Sequence, residues 1–115
     1  MARFRLSPLA RADVARILAI SAERWGIEGR VRYAAILAAA MRKVAAEPQG
    51  ATTRDRAELS RGVRSLHLRH ARVADSEARV KSPVHVLFFR LVRPGLVEIV
   101  RVLHERMEPT RHVGG

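Results

Sequence analysis

The fold turns on one stretch: Val84-His85-Val86-Leu87-Phe88-Phe89-Arg90-Leu91-Val92, then Arg93-Pro94-Gly95, then Leu96-Val97-Glu98-Ile99-Val100-Arg101-Val102-Leu103-His104. β-Branched and aromatic side chains fill both runs, which suits an extended, pleated backbone. The first run is nearly all apolar, so it belongs inside a sheet and covered on at least one face. Pro followed by Gly is the order of a type II turn, whose second central residue takes a positive φ. Two strands joined so tightly pair antiparallel.

Upstream, Gly62–His70 alternates with period two, with Leu66 and Leu68 flanking His67, and is predicted to be another strand of the same meander. The charged, Ser-containing residues 71–82 are predicted to form a connecting loop or an extended hairpin tip. At the N-terminus, Phe4 and Leu6 alternate with Arg3, Arg5 and Ser7 as a short first strand. Ser7 then caps a helix, and Pro8 fits its first position because its missing N–H costs nothing there. Val14, Ile17, Leu18, Ser21 and Trp25 form a stripe at helical spacing, with Arg11, Asp13, Arg16 and Glu23 assigned to the other side. Gly26 stops this helix.

A second helix is predicted from Ile27 to Glu47. Val31, Ala34, Leu37, Ala38, Met41, Val44 and Ala45 make its stripe, Arg30, Arg32, Arg42 and Lys43 lie off it, and Pro48 and Gly50 end it. A turn of one or two residues makes the two helices an antiparallel hairpin. Residues 49–61 are polar and aperiodic and read as a loop with at most one helical turn. The predicted order is β-α-α-β-β-β, an α+β fold with a helical hairpin packed on a small, mainly antiparallel sheet. The 115 residues make one domain, 1–115, with a partly flexible tail over 107–115.

There is no cysteine, which excludes disulfides, thiolate catalysis and Cys-based metal sites and suits a reducing cytoplasm. The longest apolar run, Tyr33–Met41, has nine residues. A bilayer span needs about 20, so no membrane association is expected. Charges interrupt the N-terminus at once, unlike a secretory leader. The net charge is +11, from 22 basic and 11 acidic side chains, and only Lys43 and Lys81 are lysines. Such a charge predicts an anionic partner, either nucleic acid or an acidic protein segment.

No phosphate-binding loop, dinucleotide fingerprint or H-E-x-x-H is present, so no cofactor is expected. His67 and His70 are three apart on the predicted strand and point to opposite faces, so no metal site is expected. The informative constellation is basic: Arg64, Arg69, Arg90, Arg101 and Arg106 on or beside the last three strands, with His67, His85 and His104 among them. On one face they would bind phosphates or donate protons. On a solvated outer face they would pair with Glu98 and Glu105. Ile17, Leu18, Leu37, Met41, Leu87 and Phe89 are core candidates. The outer side of the hairpin and the sheet edges remain open to a partner helix or strand.

Several segments together resemble the RelE/ParE toxin family, on its ParE side. They are Leu6-Ser7-Pro8-Leu9-Ala10 with Asp13 and Ile17, Ser21-Ala22-Glu23-Arg24-Trp25-Gly26, Gly62-Val63-Arg64-Ser65-Leu66, His85-Val86-Leu87-Phe88-Phe89-Arg90, and Val97 through Pro109. The resemblance implies the toxin of a type II toxin–antitoxin module. Its antitoxin partner would be ParD-like, with a ribbon-helix-helix dimer that binds DNA and an acidic amphipathic segment that wraps the toxin into a hetero-oligomer. DNA contact would then be indirect.

ParE-like members poison DNA gyrase without catalysis, whereas RelE-like members cut ribosome-bound message with Lys and Arg residues and usually a C-terminal Tyr. The sole tyrosine here is Tyr33, in the second helix, which favours the gyrase-directed branch over the endoribonuclease alternative. On this reading Arg64, Arg69, His85, Arg90, Arg101, His104 and Arg106 are target-contact candidates, with no catalytic residue assigned. Ile17, Leu18, Trp25, Tyr33, Leu37 and Met41 are antitoxin-contact candidates. Arg101 and Arg106 are singled out by their place in the closing strand and tail, which the resemblance links to toxicity.

Overall fold

The computed structural model describes residues 2–71, 80 and 82–114. Strand β1 (Arg3–Leu6) leads into helix α1 (Pro8–Ala46), and β2 (Arg54–Asp55), β3 (Val63–His67), β4 (His85–Arg93) and β5 (Leu96–His104) follow. The five strands form one sheet in the order β1-β5-β4-β3-β2. Only β1, parallel to β5, breaks the antiparallel pattern. The α+β fold and its mainly antiparallel sheet are as expected from the sequence. Among the described residues, no helix is long and apolar enough to cross a membrane.

The helix starts where the sequence places it. Ser7 Oγ accepts from the Ala10 N–H at 3.0 Å and donates to the Val100 carbonyl at 2.7 Å. One side chain thus caps the helix and fastens its first turn to β5. Inside α1, Gly26 takes φ 73° and ψ −175°, a conformation essentially reserved for glycine. A straight 39-residue helix would run about 58 Å, whereas the molecule's longest dimension is 38 Å. The helix therefore doubles back at Gly26 into two arms, residues 8–25 and 27–46, which are the expected hairpin. Gly29 makes the close return possible, because a Cβ there would stand 2.2 Å from the Trp25 Cβ.

Both arms pack on one face of the sheet. Ala10, Ile17, Ile36, Leu37, Ala40, Met41 and Val44 meet Leu66, Leu87, Phe89, Val97, Ile99 and Val102 in the main core. A smaller cluster of Val63, Phe88, Leu103 and Val113 lies on the opposite face. The β4–β5 register shifts between Phe88 and Phe89, so Val100 is an extra residue in β5. Gly95 in the hairpin turn takes φ 84°, the sign that a type II turn needs.

Four details differ from the sequence reading. The stretch 49–61 contains the two-residue strand β2, too short to show a period. The strand expected over Gly62–His70 ends at His67 and tightens into a 3₁₀ turn at Leu68–His70, because the His67 ring accepts the Arg69 N–H and turns the chain. The tail turns back through a 3₁₀ turn at Pro109–Arg111 and buries Val113 on the outer cluster. Trp25, Ile27 and Val31 were placed in or beside the helical stripes, yet they stand exposed at the bend, where no described element crosses them. The connection expected over 71–82 lies, except for Ala71, Val80 and Ser82, outside the described residues.

Candidate partner-binding groove

Strand β1 pairs with β5 only as far as Ile99. Beyond that point the edge of β5 is open, and Asp13 from the first helical arm closes it. Its carboxylate accepts from Arg101 Nε at 2.8 Å, Arg101 Nη2 at 2.9 Å and the Val102 N–H at 2.9 Å. Asp13 is 2% exposed and the Arg101 side chain 13%. The sequence reading put Asp13 on the polar side of the helix. The structure places it inside instead: Ala10, Asp13, Ile17 and Ser21 form the buried edge of the arm. Their spacing of three and four was the available signal, with an acid in a core position. Arg101 also donates to the His112 carbonyl at 3.1 Å, so the pair ties helix, strand and tail together. The hydrogen bonds to Asp13 hold the Arg101 guanidinium still more firmly protonated than usual.

Next to this pair, Tyr33 of the second arm meets the start of β4. Its hydroxyl lies 2.5 Å from His85 Nδ1 and accepts the Val84 N–H at 3.2 Å. The direction of the Tyr33–His85 hydrogen bond is set by which His85 ring nitrogen carries the proton. Burial, and then neighbouring His104, push the His85 pKa down to about 4, consistent with a neutral ring. Burial raises the Tyr33 pKa. His85 and His104 are cross-strand partners with rings edge to face, 5.5 Å apart. His104 Nδ1 accepts the Arg106 N–H at 3.1 Å. Among the described residues no third His, Asp or Glu joins them as a metal site would need.

Two connected hollows open along this line. The larger, about 860 Å³, runs from the bend past Trp25, Gly29, Ile20 and Tyr33 to Val80, Val84 and His85. The smaller, about 360 Å³, continues over Arg16, His104, Arg106 and Met107 to His112. Ile17, Ile20, His85 and His104 line both, so they form one groove between the helical hairpin and the end of the sheet. Its floor is apolar. Arg24 and Arg32 stand at one end, Arg16 and Arg106 at the other.

The basic constellation does not share one face. His85, Arg101, His104 and Arg106 gather at the groove, but Arg101 is spent on Asp13. Arg90 lies on the outer face, where Glu98 joins it at 3.0 Å and Arg5 at 3.2 Å in a cross-strand triad. Arg64 is drawn to the end of the helix by the Pro48 carbonyl and the Thr53 hydroxyl. Arg69 is exposed in the 3₁₀ turn, beside His67, whose Nε2 lies 2.6 Å from Glu105. Strand alternation and the early end of β3 separate these residues.

Of the six antitoxin-contact candidates, Ile17, Leu37 and Met41 are buried in the core, Leu18 is half-buried against it, and Tyr33 and Trp25 line the groove. The sequence reading passed over Ile20, Arg16, Arg24, Arg32 and His112 as groove residues. None stands out in one dimension, because the groove exists only once two arms and the tail meet.

The family model described as ParE toxin of type II toxin-antitoxin system, parDE, matches residues 4–109. Toxin ParE1 of Mycobacterium tuberculosis (strain ATCC 25618 / H37Rv) is 31% identical over 111 residues, covering 96% of this chain and 97% of that protein. Toxin ParE1 of Caulobacter vibrioides (strain ATCC 19089 / CIP 103742 / CB 15) is 36% identical over 115 residues, covering 99% and 100%. The matched residues include the capped helix, the Asp13–Arg101 pair and the groove lining as far as Met107, and the chain belongs to the ParE toxin family of type II toxin–antitoxin systems.

Proposed function

We propose that the chain acts in the cytoplasm as a single-domain toxin that poisons DNA gyrase by binding rather than catalysis. A ParD-like ribbon-helix-helix antitoxin holds it inactive by laying an acidic, amphipathic segment along the groove. The observation that carries this reading is the groove itself: an apolar floor with exposed Ile20 and Trp25, rimmed by Arg16, Arg24, Arg32 and Arg106. An amphipathic segment with acidic flanks matches both features. The excess of positive charge over the chain would steer its approach, with affinity falling as salt rises. The target contacts then fall to exposed basic groups outside the groove and at its tail end, with Arg69 and Arg106 the foremost of the original set.

The test is to purify the toxin with and without the antitoxin encoded beside it and follow supercoiling by gyrase and cleavage of a ribosome-bound message. Gyrase inhibition relieved by the antitoxin, with the message intact, is the expected result. Message cleavage with gyrase untouched would overturn the gyrase reading and move the protein to the endoribonuclease branch.

A further inference from the structure

The groove is chemically lopsided. Its bend end is lined by Ile20, Trp25, Tyr33, Val80 and Val84. Its tail end places Arg16, Arg101, Arg106, His104 and His112 around about 360 Å³, with Asp13 the one carboxylate among the described residues that line it. That carboxylate already accepts three hydrogen bonds, from Arg101 Nε and Nη2 and the Val102 N–H. Arg16 reaches it only at 3.9 Å, with its side chain 59% exposed. Arg106 forms no ion pair among the described residues. Two guanidiniums thus face one small hollow with their capacity for an anion largely unused, and planar guanidinium forks suit carboxylates.

We infer that the tail end of the groove, between Arg16 and Arg106, is a subsite for a single carboxylate of the partner segment, while the bend end takes its apolar side chains. The inference rests on the reading of the groove as the antitoxin's seat and adds an order to it: bulky apolar residues over Trp25 and Tyr33, an acid over Arg106. A peptide carboxylate fits better than a nucleic-acid phosphate, because the Tyr33, His85 and His104 rings of the adjoining floor pack edge to face on one another and do not form a stacking platform for successive bases.

The experiment uses the full chain and no macromolecular partner, so its outcome is separable from that of the gyrase assay. Sodium acetate, inorganic phosphate and sodium chloride are titrated at constant ionic strength while the imidazole NMR signals of all five histidines are followed. Expected are saturable acetate shifts at His104 and His112 but not at His67 or His70. Affinity should be about tenfold weaker in Arg106→Gln and Arg16→Gln and unchanged in Arg90→Gln. Unshifted outer-face histidine signals in each variant verify the fold. Saturation by phosphate with none by acetate would overturn the carboxylate assignment in favour of a phosphodiester. Equal, linear shifts at all histidines with every salt would overturn the subsite.

Discussion

Asp13 and Arg101, 88 residues apart in sequence, are joined by two hydrogen bonds of 2.8 and 2.9 Å across the open edge of β5. Removing one partner strands the other almost without water. Asp13→Ala is expected to destabilise the fold by about 3 kcal/mol, through an unpaired Arg101 and an unpaired Val102 N–H. The double variant Asp13→Leu/Arg101→Met should recover part of that loss, since a buried ion pair can be replaced by apolar packing. Urea unfolding of Asp13→Ala, Asp13→Leu, Arg101→Met and the double variant checks the claim, and a double-variant loss equal to the sum of the Asp13→Leu and Arg101→Met losses would refute the coupling.

His85 gives the fold a dependence on acid. Its pKa in the folded protein, about 4, lies below the ordinary value of 6.5, so between these pH values the unfolded chain takes a proton that the folded chain refuses. Stability is therefore full above about pH 6.5 and declines as pH falls toward 4. His70, also lowered by burial, acts in the same direction. The urea midpoint should drop between pH 7 and pH 5, and drop less in His85→Gln. Identical slopes in the two proteins would remove His85 as the cause.

The Tyr33 hydroxyl serves two partners at once, His85 and the Val84 N–H. Tyr33→Phe is expected to cost about 1–2 kcal/mol, mostly because a half-buried N–H loses its acceptor. It should also let the His85 ring titrate differently, which imidazole NMR would reveal. A variant with unchanged stability and an unchanged His85 titration would count against the hydrogen-bond assignment.

Gly29 sits where the helical arms separate, and an added methyl would meet the Trp25 Cβ at 2.2 Å. A Cβ cannot swing away as a side-chain tip can, so Gly29→Ala must push the backbones apart, at about 1–3 kcal/mol. Thermal unfolding measures this. Wild-type stability in Gly29→Ala would contradict this close contact at the bend.

Trp25 is the only tryptophan and is 70% exposed at the bend end of the groove. A partner seated in the groove should bury it and shift its emission to the blue. Trp25→Ser should leave stability within about 0.5 kcal/mol of wild type and weaken antitoxin binding. Emission unmoved by a saturating antitoxin would place the partner elsewhere.

The long elements and their order are legible along the chain, with β2 and the two 3₁₀ turns the exceptions. Ser7-Pro8 starts the helix, Gly26 bends it and Pro94-Gly95 turns β4 into β5, because caps, φ preferences and two- or 3.6-residue periods are local properties of the chain. Its charge likewise pointed to an anionic partner. Which polar residues are structural and which are free follows from packing between distant elements. Asp13 and Arg101 look like surface charges in one dimension and become a buried pair because β1 stops at Leu6 and leaves the edge of β5 open. Arg64, Arg69 and Arg90 look like one basic face, and strand alternation together with the early end of β3 scatters them. Ile20, Trp25, Arg106 and His112 carry no shared signal along the chain. They line one groove because Gly26 reverses the helix and the tail folds back, and such long-range closure is set by packing rather than by any local preference.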